Sequence, residues 1–424
     1  MDASQIISIA VFVVALGLIM SDKVNRALVA LVGAVVLLGL HIVTFEQALT
    51  HVDFNTLGVL MGMMMFVAVV KLSGVFEFLA VACARLAKGD PWRVMLLLVL
   101  LTATLSAFLD NVTTVLLVGP MTLTLCRLLD VDPVPFFLTE IMASNIGGTA
   151  TLIGDPPNIM IGSAAGFTFL DFILNDAPAV VLILAVMLAA FYLLYGRRMA
   201  VEPEALDAIM ALDPADYIKD RRLLVVSAIM TALVVAGFML HGTLNLESSV
   251  VALAAAGVIL LVSGRGIEYA LSQVEWVTLT FFLGLFVIVG ALTETGVIDL
   301  LANALIGLTG GHVFLTMLVL LVGSALVSSF LDNIPFVATM IPILLAMGAS
   351  GMDVTPLWWA VSLGACLGGN GTIIGASANV VLADISRQNG HDITFAQYLR
   401  VGFPLMLLSV AVAALYLVVR FPAG

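Results

Sequence analysis

This 424-residue chain is short of charge. Asp, Glu, Lys and Arg make up 10% of it, against about 25% in an ordinary soluble domain. So few charged side chains cannot coat a water-facing surface, which excludes a soluble enzyme or binding module. Cysteine is also scarce. Cys83, Cys126 and Cys366 lie far apart with no Cys-x-x-Cys spacing, so a disulfide scaffold and a structural zinc site are excluded, and a thiophilic metalloid site built from them is disfavoured. No Gly-x-x-x-x-Gly-Lys-Ser/Thr loop occurs, which removes ATP hydrolysis by that device. What is abundant is apolar sequence. With 62% hydrophobic residues, the chain reads as an all-α polytopic membrane protein. Its net charge of −12 sits mainly in loops and says little about a substrate.

Apolar segments fall at 4–20, 27–42, 55–71, 94–128, 136–165, 177–196, 223–240, 248–263, 276–292, 313–349, 356–386 and 401–419. The first, Ile6 to Met20, lacks a basic flank and an Ala-x-Ala site and is read as a span rather than a signal peptide. Segments 94–128 and 313–349 are too long for one crossing and short for two, since two crossings need ~40 residues before any turn. Each is interrupted near its middle, at Asp110-Asn111 and at Asp332-Asn333. The simplest reading is two opposed re-entrant helical hairpins among about ten transmembrane helices. Ten spans place 15 of the 16 basic residues on one face, leaving only Arg420 on the other. The positive-inside rule makes that face cytoplasmic and puts both termini outside, in a multi-pass cytoplasmic (inner) membrane protein. Segment 74–88 is expected along the cytoplasmic interface, with 297–309 as its outer counterpart.

The order along the chain is then N-terminal transmembrane helices (1–50) and a first repeat (51–196) with a cytoplasm-facing hairpin and the broken helix 136–165. A cytoplasmic linker follows (197–222), then connecting helices (223–272). A second repeat (273–424) holds an outward-facing hairpin and the broken helix 356–386. A constant offset supports the duplication. Phe54 and Trp276, Gly74 and Gly296, Asp110 and Asp332, and Pro120 and Pro342 are each 222 residues apart, while Gly154 and Gly375, and Asn158 and Asn379, are 221 apart. Because the repeats enter the membrane from opposite faces, they are inverted, an architecture associated with alternating access.

The broken helices carry the chemistry. Asn145 to Asn158 holds Gly147, Gly148, Gly154, Pro156 and Pro157, which weaken helix, and Asn145, Thr149, Thr151, Asp155 and Asn158, which hydrocarbon cannot satisfy. Gly368 to Asn379 repeats the pattern with Gly368, Gly369, Asn370, Thr372, Ser377 and Asn379. Irregular polar backbone at membrane depth is tolerated where it lines a cavity or is packed in protein. The aspartates at the hairpin tips read in two ways. Each caps the helix after it, Asp110 accepting from amides near Val112 and Thr113, and each also presents oxygens to a substrate or ion. Asp155 is the sharper signal, because the second repeat has Ala376 in its place; a proton-carrying or cation-binding role stands beside the plainer one of satisfying loop amides. Glu140 is expected nearer the cytoplasmic interface. No lysine or arginine is expected at the midplane, so the cavity should be polar and acidic. Gly58-x-x-x-Gly62 is a candidate packing motif, and Met61, Met63, Met64 and Met65 are expected in core or lipid contact rather than as soft-metal ligands.

Phe108-Leu-Asp-Asn-Val-Thr-Thr114, Ala143 to Asn158 with its Gly-Asp-Pro-Pro-Asn signature, and Gly62-Met-Met-Met resemble the arsenite-permease and P-protein branch of the ion transporter superfamily. The resemblance covers nearly the whole chain. It implies a site using Asp110, Asn111 and Thr113 with Asn145 to Asn158, completed by Asp332 and Asn333 with Gly368 to Asn379. Dicarboxylate symporters of the superfamily carry Ser-Asn-Thr at the tips and Thr in a Gly-x-Pro-Pro-Asn motif; Asp at both tips and Asp155 here favour proton coupling over a dianionic substrate. The resulting expectation is proton-coupled export of arsenite or antimonite, with Asp155, Asp110 and Asp332 handling protons. The alternatives are a sodium/proton antiporter, or a carrier of silicic acid or of an inorganic or carboxylate anion. A non-transporting scaffold is disfavoured by the duplicated polar breaks. No cofactor is expected beyond a coupling proton or sodium ion. The expected surroundings are the lipid bilayer and a small solute or ion; a cytoplasmic ATPase subunit and a homodimer are compatible partners, and nucleic acid is not.

Overall fold

Helices begin where the chain supplies a cap. Asp53, Asp90, Asp110, Asp220 and Asp332 each accept a backbone N–H from the first turn of the helix that follows, as do Thr44, Thr168 and Thr394. Those first-turn amides have no partner inside the helix, and away from water a side-chain oxygen is the available substitute.

The computed structural model describes residues 1–21, 23–199, 207 and 209–422; part of the 197–222 linker, including Glu202-Pro203, lies outside the described residues. Among the described residues the protein has twenty α-helices and no strand. The first half runs α1 (Ala3–Met20), α2 (Arg26–Gly39), α3 (Phe45–His51), α4 (Phe54–Lys71), α5 (Val75–Leu86), α6 (Pro91–Ser106), α7 (Asn111–Leu129), α8 (Val134–Gly148), α9 (Pro156–Ala165) and α10 (Phe169–Leu194). The second half repeats it: α11 (Arg221–Leu240), α12 (Ser248–Ser263), α13 (Ile267–Ser272), α14 (Trp276–Glu294), α15 (Val297–Thr309), α16 (Val313–Ser328), α17 (Asn333–Ala349), α18 (Thr355–Gly368), α19 (Ser377–Gln388) and α20 (Phe395–Arg420). Seven helices are individually long and apolar enough to cross a membrane. The broken helices are α8–α9 and α18–α19. The hairpins are α6–α7 and α16–α17, and α15 meets α16 at a 113° bend.

The duplication reaches further towards the N-terminus than the sequence offsets reveal. α1 and α2 correspond to α11 and α12, and each pair packs on the opposite half. A Cβ on Gly62 of α4 would stand 2.6 Å from the Ala252 carbonyl carbon of α12, and one on Gly284 of α14 would stand 2.5 Å from that of Ala30 in α2. Both glycines and both alanines are 222 residues apart, so the same backbone crossing is built twice. Gly58 of the Gly-x-x-x-Gly motif lies against Ser249 on this interface. Aromatic packing also joins the halves. Trp359 of α18 is sandwiched by Phe167 at a ring distance of 4.6 Å and by the edge of Phe172 at 5.2 Å.

α2 is short. Its 14 residues span about 21 Å, less than the ~30 Å hydrocarbon core. Arg26 is its first residue.

Candidate functional site

Each helix break is tied to its own hairpin tip by equivalent bonds. Thr151 Oγ1 donates to the Ala107 carbonyl, and Thr372 Oγ1 to that of Ser329. Ser106 Oγ donates to the Ser144 carbonyl at 2.7 Å, and Ser328 Oγ to that of Ala365 at 2.6 Å. Within the breaks, Asn158 Nδ2 donates to the carbonyls of Thr149 (3.1 Å) and Thr151 (3.0 Å), while Asn379 Nδ2 donates to those of Gly369 (2.7 Å) and Thr372 (2.9 Å). Carbonyls freed by the missing helical turns are thus re-satisfied by side-chain amides, as a buried break requires. The glycines allow the approach. A Cβ on Gly147 would meet the Ala103 backbone at 2.1 Å, and one on Gly368 the Ala325 carbonyl at 2.6 Å. Gly148 lies against Gly154 and Gly369 against Ala376, so Gly147, Gly148, Gly368 and Gly369 all stand at close backbone contacts.

Other bonds cross between the halves. Asn145 Nδ2 donates to Asn370 Oδ1 and Asn379 Oδ1, both at 2.9 Å, while within its own half Asn145 Oδ1 accepts from the tip residue Asn111 at 3.3 Å. At the position equivalent to Asn145, Cys366 points its thiol at Asn158 Oδ1, 3.6 Å away. The second tip reaches across as well, Asn333 Nδ2 donating to both oxygens of Asp155 at 3.1 and 3.3 Å. Asp155 is 1% exposed, and its backbone is extended, at φ −144° and ψ 135°. Among the described residues no cation pairs with it.

These groups meet at a small cavity of about 30 Å³. Asp110, Asn111, Asp155, Asn333 and Ser377 face it, with Leu60 and Met64 as an apolar wall. Asp110 also caps α7, accepting from Thr113 N at 2.8 Å and from the Thr113 hydroxyl. Thr149, Thr151, Thr372, Asn145, Asn158, Asn370 and Asn379 stand behind the cavity, all buried.

One expectation is corrected. A guanidinium does reach the site: Arg26 Nη1 lies 3.0 Å from Asp332 Oδ2 and 2.7 Å from Ser377 Oγ, and Arg26 lines the central cavity with Glu275 and Thr278. Arg26 opens α2, and its side chain reaches the second hairpin tip instead of remaining a loop cation. Asp332 accepts from Arg26 and Ser377 and faces a neighbouring cavity of about 310 Å³. Glu140, expected nearer the cytoplasmic interface, is buried in protein at 1% exposure and accepts from Thr122 Oγ1. Arg26, Glu275 and Thr278 were missed because each begins a helix beside a loop. Asp176, the other buried acid absent from the expected set, had a legible signal, a carboxylate at the edge of an apolar run.

Residues 16–364 match the family model described as citrate transporter (CitMHS). The chain belongs to that family. Over 98% of its length this CitMHS-family transporter is 45% identical to an uncharacterized transporter of Mycobacterium tuberculosis, covering 99% of that protein. It is 44% identical to a 46 kDa membrane protein of Mycobacterium leprae, with the same coverage. The human P protein is 34% identical over 95% of this chain, which spans 58% of that longer protein. The fold matches the crystal structure of the YdaH transporter of Alcanivorax borkumensis with a TM-score of 0.64 at 15% identity, both chains covered in full. The CitMHS-family chain is thus a multi-pass membrane transporter of the broad ion transporter superfamily and not an enzyme.

Proposed function

We propose that this transporter exports arsenite or antimonite across the cytoplasmic membrane by proton antiport and alternating access. The observation that carries the reading is Asp155. Its carboxyl group is enclosed between the halves of the molecule, and its described side-chain donor, Asn333, comes from the opposite hairpin tip. Burying an ionised carboxylate without a partner costs several kcal/mol, so this group is suited to taking up and releasing a proton as the halves move. The cavity walls suit a small neutral hydroxy solute such as As(OH)3, since Asn, Ser and Thr supply donors and acceptors without demanding a charge. The basic-face count supports a cytoplasmic 197–222 loop and outer termini.

Arg26 and the family description together favour a second reading, a carboxylate solute. Asp110, Asp155, Asp332 and Glu275 surround the single guanidinium, so such an anion would have to arrive with its charge offset by protons or a metal cation. Everted vesicles separate the readings. Arsenite accumulation driven by an imposed pH gradient is expected, and its absence would sink the first reading. Citrate accumulation in its place would establish the second, and a sodium-driven pH change with neither solute would make the protein a sodium/proton antiporter.

A further inference from the structure

Behind the central cavity lies another buried acid. Asp176 of α10 is 0% exposed, and among the described residues it has no ion-pair partner. Its Oδ1 has no hydrogen-bond partner, and its Oδ2 lies 2.6 Å from Ser362 Oγ. Aligned on the internal prolines Pro178 and Pro404, the second half has Gly402 at this position, so the shared scaffold does not require the acid.

The bonds around Ser362 constrain the proton count. Ser362 Oγ is also 2.8 Å from Asn158 Oδ1. The Asn158 amide is oriented unambiguously, because its other terminal atom faces the carbonyls of Gly148, Thr149 and Thr151. Oδ1 is therefore an oxygen and can only accept. A serine hydroxyl has one proton and here has two oxygens within bonding distance. If it donates to Asn158, the short contact to Asp176 needs its proton from the carboxyl group. If it donates to Asp176, two acceptor oxygens face each other at 2.8 Å with no proton between them, in a site where unmade bonds are costly.

From this geometry we infer that Asp176 holds a proton in this conformation and serves as a second protonation site of the transport cycle. It is joined to the first broken helix through Ser362 and Asn158. The inference rests on the proton-coupled reading above. Movement of the break would withdraw Asn158 from Ser362, free the serine proton for Asp176 and allow the acid to release its own. The titratable and charged groups on the helices packed against α10 are Cys366 on α18, Tyr398, Arg400, Tyr416 and Arg420 on α20, Glu140 on α8, and Arg221 and Arg222 on α11 with His241 at its end. Tyr416 donates to the Asn175 carbonyl at 2.7 Å, Arg420 to Asn175 Oδ1 at 3.4 Å, and His241 takes the Phe169 N–H at 3.2 Å. Glu140 is bonded to Thr122, and the Cys366 thiol faces Asn158.

Infrared spectroscopy of the reconstituted full-length protein tests proton occupancy directly. A carboxylic-acid C=O band that shifts in D2O is expected in the wild type and in Asp155→Asn, and is expected to be lost in Asp176→Asn. Ser362→Ala should keep the band and move it to higher frequency as its hydrogen bond is removed. An Asp176→Asn spectrum identical to wild type in this region would overturn the assignment, and so would a Ser362→Ala spectrum with no shift. In proteoliposomes, Asp176→Asn should lose the dependence of solute flux on the pH gradient, with Asp176→Glu restoring part of it. Full gradient dependence in Asp176→Asn would overturn the role in the cycle. A wild-type protein without gradient-driven flux of any tested solute would instead count against the functional reading, and the infrared band would still decide the proton site.

Discussion

The ion pair between Arg26 and Asp332 offers a sharp energetic test, because it links α2 to the tip of the second hairpin and has no counterpart in the first half. The repeat offset places Ser248 where Arg26 stands, and Ser248 bonds to Asn55 rather than to Asp110. The two side chains retain 27% and 14% of their exposure. A fully exposed pair is worth up to about 1 kcal/mol, and removing one partner of a fully buried pair costs about 3–5 kcal/mol. With both groups less than a third exposed, we expect a coupling of about 2 kcal/mol, a factor of roughly 30 in an equilibrium constant. The perturbation is a double-mutant cycle of Arg26→Gln, Asp332→Asn and the double variant, read by equilibrium unfolding in detergent. Asp332→Asn isolates the charge, since Asn is as good an N-cap as Asp and the bond from the Ile334 amide can be kept. Loss of the guanidinium stacked 5.3 Å above the Phe281 ring occurs in both Arg26 variants and cancels. Single effects that simply add, to within about 0.5 kcal/mol, would refute the pairing.

Other predictions follow from the packing and the breaks. Gly62→Leu and Gly284→Leu should each fail to accumulate as a monodisperse protein on size-exclusion chromatography, because the new side chain meets helix backbone; normal yields would contradict the close crossing. Trp359→Ala should destabilise by about 3–5 kcal/mol in the same unfolding assay, as expected for emptying a buried aromatic site; a loss below about 1 kcal/mol would count against the Phe167–Trp359–Phe172 contact. Thr151→Val and Thr372→Val keep side-chain shape but leave the tip carbonyls of Ala107 and Ser329 unpaired, so each should cost about 1–3 kcal/mol, and similar amounts, given the equivalent bonds.

Much of this architecture was legible in the sequence because hydrocarbon makes helix breakers and carboxylates conspicuous. Asp110-Asn111 and Asp332-Asn333 interrupt long apolar runs, and the structure puts them at the hairpin tips. Asp155 is set apart by the alanine in its twin, and the structure encloses it. The reach of Arg26 was not legible. A cation three residues beyond Lys23 looks like a loop residue, and only its bond to Asp332 brings Arg26 into the site. Side-chain direction was also hidden. Asp110 and Asp332 are equivalent in sequence, yet one lines the central cavity and the other turns to a guanidinium. Gly147 and Gly368 sit inside polar breaks, but what they permit is contact with Ala103 and Ala325. The correspondence of α1 and α2 with α11 and α12 escaped notice because their resemblance lies in small residues at a crossing, Ala30 and Ala252, rather than in a motif.

The central claim is that a carboxyl group enclosed between the two halves couples solute movement to protons. Its most direct test is solute flux in proteoliposomes under an imposed pH gradient, comparing the wild type with Asp155→Asn at matched protein incorporation. Asn preserves the size of the side chain and its reach to Asn333 but cannot exchange a proton. The account predicts that gradient-driven flux is lost in this variant. Gradient-driven flux at the wild-type level would contradict it.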